Sequence, residues 1–145
     1  MNNFSKKEHT VDMRKKFLIC GLTGWCMEIM FTSLNSLRHR ELKLMGQTSL
    51  WMFPIYGMAV FIQPVYFLIK KFPLLLRGII YSTGIFTLEF LSGSFLKKYD
   101  ICPWDYSHAK SNINGVIRLD YAPFWIFAGL LFEKILLKSY NAKIH

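Results

Sequence analysis

A chain of 145 residues is about one domain in length, with 52% hydrophobic and 19% charged residues. The apolar residues gather in long blocks with the charges between them, which argues against a free-standing soluble enzyme. The net charge of +9 comes from Lys and Arg that flank these blocks and form no stripe of their own, so it reads as a topology signal and not as a nucleic-acid interface.

Residues 1–16 are polar and basic and read as a cytoplasmic tail. Residues 17–34 (FLICGLTGWCMEIMFTSL) form the first apolar block, within the range of about 17–25 helical residues that cross a bilayer core. A cleaved signal peptide has an apolar core of only about 7–15 residues and a small-residue cleavage site. This block is longer, carries Glu28 and ends in Thr-Ser-Leu-Asn, so a retained helix is expected. Cys20 and Cys26 read as small packing residues. With Cys102 they make an odd count without a CxxC pair, neither a disulfide framework nor a zinc site.

A polar connection, 35–49, leads to a second block, 50–69, containing Pro54, Gly57 and Pro64. A membrane helix tolerates such breaks where neighbours re-satisfy the freed backbone groups. Lys70 and Lys71 turn the chain into a third block, 72–96, with Arg77 near its start and Glu89 deeper in. The polar loop 97–120 is too patterned for a spacer. Trp104 and Tyr106 suit an interfacial aromatic belt. Asp105, Ser107, Asn112, Asn114 and Gly115 are turn formers. The loop is expected to fold back as a lid, structural or ligand-contacting. Residues 121–137 form the fourth block and a short basic tail follows.

The expected fold is therefore all-α: a polytopic membrane helix bundle of about four transmembrane helices with a long loop between the third and fourth. It divides into a basic tail (1–16), a transmembrane bundle (17–138) and a second tail (139–145). Four spans place both termini on one side, with 11 of the 18 basic residues; 7 face the other. The positive-inside rule then puts both termini in the cytoplasm of a multi-pass cell-membrane protein.

Motifs for nucleotide hydrolysis, dinucleotide binding, zinc proteolysis and serine hydrolysis are missing from the sequence, and its four histidines fall in loops or tails. No cofactor, metal or catalytic residue is assigned. The sharpest polar signals are Glu28 and Glu89, because a carboxylate inside a span normally faces a bundle interior or a watery cavity. At 1.5 Å per helical residue each lies about 10 Å below the same, non-cytoplasmic face. Tyr56 shares that depth, so the three are expected to converge on one polar pocket. Three roles stay open for it: packing, binding or transport, and acid–base catalysis. Arg38, Arg40 and Arg118 are on the correct side to supply a basic partner. Arg77, Glu133 and Lys134 lie near the cytoplasmic ends of their blocks and are expected to snorkel to the interface. Around the two glutamates, WCMEIMF and FTLEFLS resemble one another, and FPIYG in block two resembles APFWIFAG in block four. Such a pair of halves would form a parallel repeat.

Trp25-x-x-Glu28, Pro54-Ile55-Tyr56-Gly57, Glu89-x-x-x-Gly93, Trp104-Asp105-Tyr106-Ser107 and Asn114-Gly115, in this order over residues 17–137, resemble the motif series of the "putative ABC-transporter type IV" family, small bacterial membrane proteins labelled as permeases. The resemblance implies a multi-span inner-membrane protein. It carries over no substrate or catalytic residue. The family's last span is expected to hold a Trp-Gly pair, whereas here Ile126 follows Trp125 and the nearest glycine is Gly129. The residues expected to bind a substrate are Glu28, Tyr56 and Glu89, with Trp25, Trp104, Asp105, Tyr106, Asn114 and Arg118. The expected activity is that of a permease-like or transport-associated component. Without a P-loop it would need a separate ATPase chain or self-association, besides the lipid bilayer. The alternatives are an intramembrane enzyme acting on a lipid or lipid-linked substrate, and a structural subunit of a membrane complex.

Overall fold

The computed structural model describes residues 3–144, with side chains over 12–141. The chain is all-α and 72% helical. Helix α1 spans Asn3–Arg38, α2 Met52–Gly57, α3 Ile62–Ile69, α4 Leu74–Lys98 and α5 Ala122–Ile144. A 3-10 turn, Met58–Phe61, joins α2 to α3 as one interrupted helix. Among the described residues, three stretches are long and apolar enough to cross a membrane: Asp12–Arg38, Met52–Ile69 and Leu74–Lys98. Helix α5 differs in charge, since any stretch of about 18 residues within it contains Glu133, Lys134 and Lys138. Many large apolar side chains on these helices stay exposed, among them Leu18, Leu22, Met30, Leu68, Leu75 and Phe95. That is unfavourable against water and natural against acyl chains. Helix α1 starts at Asn3, so the polar segment before Phe17 forms the first turns of the same helix as the apolar block.

The chain forms two compact units, Met1–Val60 and Phe61–His145. In the first, α1 and α2 run antiparallel. Gly24 is the point of closest approach, because a methyl group there would overlap the Tyr56 ring. Phe53 packs edge-on against Phe17, with ring centroids 6.1 Å apart, and tilts onto Trp25 at 4.9 Å. Cys20 is fully buried, as a packing residue should be, but Cys26 is exposed.

In the second unit α4 and α5 run antiparallel and α3 packs on both. Helix α4 stops by a Schellman motif: Asp100, at φ 56°, donates to the Lys97 carbonyl, and Ile101 donates to that of Leu96. Lys97 and Lys98 in the last turn complement the negative end of the helix dipole. The 97–120 segment then docks on α4 and contains a hairpin, β1 Asn112–Ile113 with β2 Ile117–Arg118. Its turn places Asn114 at φ 54° and Gly115 at φ 69°, the left-handed pair that Asn-Gly supplies at least strain. Strands of two residues are too short to show alternation in a sequence.

The snorkelling expected of Glu133 is not observed. The residue is 6% exposed and its side chain is held by α4. Arg77 donates to both carboxylate oxygens, Nη2 to Oε1 at 2.8 Å and Nε to Oε2 at 3.2 Å. The Tyr81 hydroxyl donates to Oε2 at 2.5 Å. Arg77 also lies over the Tyr66 ring of α3, 5.6 Å from its centroid. A carboxylate in an apolar setting is costly unless paired and hydrogen-bonded, and here α4 supplies both partners. Lys134, one residue on, is exposed as expected. Gly129, the glycine nearest Trp125, is where α5 comes close to α4, since a methyl there would lie 2.6 Å from Tyr81 Cβ.

Candidate functional site

The candidate site is built on the C-terminal half of α4. Glu89 points inward and is 8% exposed. Gly93, one turn on, leaves the gap that Trp104 and Val116 fill. A methyl there would come within 2.9 Å of the Trp104 ring and 3.0 Å of Val116 Cβ. The Trp104 indole donates to the Val116 carbonyl at 3.0 Å, tying the start of the lid to its hairpin. Tyr106 reaches under the lid and donates a long 3.4 Å hydrogen bond to Glu89 Oε1. Its ring meets Tyr121 edge-on, with centroids 5.7 Å apart. The second oxygen, Glu89 Oε2, is buried and has no hydrogen-bond partner among the described residues. The indole nitrogen of Trp125, on α5, faces that carboxylate as a donor at the edge of hydrogen-bonding geometry.

Above this lies an open groove of about 590 Å³ lined by Ser94, Lys97, Lys98, Ser107, Asn112 and Asn114. Lys97 Nζ donates to the Asn114 carbonyl at 2.9 Å, and the Tyr106 amide donates to that of Gly115 at 2.8 Å. Asp105 accepts from both the hydroxyl and the amide of Ser107, and those bonds hold its carboxyl below the usual range. Arg118 donates to both Asp120 oxygens at 2.9 Å and stacks on Tyr121, 4.6 Å from its centroid. The pairing lowers the Asp120 carboxyl and raises the Arg118 guanidinium. Burial raises the Cys102 thiol. Among the described residues no group of three or more His, Cys, Asp or Glu is placed to hold a metal ion.

Of the expected site residues, Glu89, Trp104 and Tyr106 lie together, while Asp105, Asn114 and Arg118 shape the lid above them. Glu28, Tyr56 and Trp25 belong to the first unit. There Glu28 accepts from Thr48 Oγ1 at 3.1 Å, and Trp25 Nε1 donates to the Ser49 carbonyl at 3.0 Å. Thr32 and Ser36, on the same face as Glu28, bind the backbone of Gln47 and Met45. This polar face of α1 therefore holds its own connection. Sequence reasoning missed Trp125 as a member of the site, although a Trp four residues into an apolar block is a visible donor in search of an acceptor.

The described architecture is that of a helical membrane protein, with long apolar spans and one buried carboxyl group under a folded loop. A family model described as "Putative ABC-transporter type IV" matches residues 16–145, and the chain belongs to that family. No solved structure matches it.

Proposed function

We propose that this chain is a permease-like component that crosses the membrane four times with both termini cytoplasmic, and that a ligand is received beside Glu89 beneath the 97–120 lid. The observation that carries the reading is the buried Glu89 carboxyl, whose Oε2 has only the facing Trp125 indole, short of hydrogen-bond geometry, while the other oxygen is served by Tyr106. A buried acceptor with an incompletely formed bond is costly, so a ligand N–H, O–H or cation entering there would relieve that cost. Trp125 Nε1 offers a donor to the same ligand. The lysine-lined groove above gives a route of access. The family's printed description favours a transport role, and a chain with no P-loop implies a separate ATPase chain. Glu28, bonded to its own connection, suits a packing role. Asp105, Asn114 and Arg118 would support the site by shaping the lid around it, while Trp25 and Tyr56 would pack the first unit.

The test is affinity purification of the full chain from native membranes in mild detergent. An ATP-hydrolysing subunit is expected to co-purify. Its activity should fall severalfold with Glu89→Leu and less with Glu89→Gln, which keeps the hydrogen bond to Tyr106. Purification without any ATPase, or equal activity in wild type and Glu89→Leu, would refute the reading.

A further inference from the structure

The opposite end of the α4–α5 pair carries a second concavity, of about 760 Å³, unrelated to Glu89. Its apolar lining is Leu74 of α4 with Leu130 and Leu137 of α5, and its polar lining is Lys134, Lys138 and Asn141 beside Glu133. Along α5 the two chemistries interleave, with Leu130 one turn before Lys134 and Leu137 beside Lys138, so only the Leu130 end is purely apolar. Leu130 lies eight residues before Lys138, or about 12 Å at 1.5 Å per residue. Lys134 and Lys138 stand one turn apart, both exposed, and form no ion pair among the described residues. Like charges at this spacing repel, and an anion between them would relieve the repulsion. The one carboxylate on the wall, Glu133, would repel an anion if free. It is instead committed to Arg77 and Tyr81, so the lysines set the field.

We propose that this groove is a binding site for an anionic phospholipid, with the phosphate between Lys134 and Lys138 and one acyl chain along Leu137, Leu130 and Leu74. Basic pockets between membrane helices are suited to acidic headgroups. The apolar lining suits the acyl chain, which a soluble phosphate lacks. Asn141 offers a hydrogen bond to the headgroup beyond the phosphate.

The test uses the detergent-solubilised full chain in native mass spectrometry, with phosphatidylglycerol and phosphatidylcholine of identical acyl chains as probes. Phosphatidylglycerol should be retained selectively. At about fivefold per lysine near an anionic headgroup, Lys134→Gln with Lys138→Gln should weaken its retention about 30-fold. Lys134→Arg with Lys138→Arg should preserve it. The same double change at Lys97 and Lys98 should leave it intact, and circular dichroism verifies that each variant keeps its helices. Equal retention of both lipids, or selectivity that survives the glutamine pair, overturns the proposal. So does displacement by glycerol phosphate alone, which would mean that the apolar lining contributes nothing. A second copy of the chain seated in the groove would appear as a dimer indifferent to added phosphatidylglycerol, and that too overturns it.

Discussion

Removing one partner of the Arg77–Glu133 pair leaves the other charge buried. Their side chains are only 17% and 8% exposed, so Glu133→Leu or Arg77→Leu should each destabilise by about 3–5 kcal/mol. Replacing both with leucine removes the orphaned charge along with the bond, and much of the stability should return. Thermal unfolding in detergent of the four proteins of this cycle measures it. If the losses simply add, the two side chains do not act as a pair. This contact was illegible in the sequence, where the partners are 56 residues apart and Glu133, beside a lysine near the end of an apolar block, looks like an interfacial residue. Glu89 was legible for the contrary reason, being a lone carboxyl deep within an apolar run.

At the scale of elements, the two units repeat one device. A long helix carries a glutamate, and the polar connection that follows it donates a hydroxyl back to that glutamate. Thr48 does this for Glu28 and Tyr106 for Glu89. An indole then fastens each connection through a backbone carbonyl, Trp25 to Ser49 and Trp104 to Val116. The sequence placed a polar connection after each glutamate-bearing block, but only coordinates show which hydroxyls are used. Turn chemistry announced the bend at Asn114-Gly115, whereas the two-residue strands left no periodic trace. The outer face of the second connection should respond to acid. Asp105 and Asp120 both have carboxyls lowered by their partners, Ser107 and Arg118. A lowered folded value means that their contribution is complete above the unfolded aspartate value of about 3.9 and fades as pH falls through the folded values. Hydrogen exchange over residues 105–120, corrected for the intrinsic rate, should show protection at pH 6 that diminishes towards pH 3. Constant protection over that range would mean the two aspartates do not hold the lid.

For the whole molecule, the topology proposed above is open to a direct measurement. Four spans with cytoplasmic termini put residues 97–120 outside. In a variant with its three native cysteines replaced, Lys110→Cys should react with an impermeant maleimide in intact cells. Labelling only after permeabilisation would invert the orientation or change the number of spans. Replacing Lys110 disturbs little, since its side chain is exposed and takes part in no hydrogen bond or ion pair described for the lid.

The Arg77–Glu133 contact also bears on how the protein reaches the bilayer. Synthesis presents α4 before α5, and α4 alone carries an unpaired arginine and a buried-type glutamate in one apolar run. A charged side chain at the centre of a membrane helix opposes insertion by about 2.5–3.5 kcal/mol, and less towards its ends. Tyr81 and Arg77 have no carboxylate to bind until Glu133 emerges. Helix α4 would then linger at the translocon exit, or at the membrane surface, until the nascent chain supplies α5. In the proposed four-span topology the two would enter together as a helical hairpin, with the loop that later covers Glu89 as the segment carried across between them.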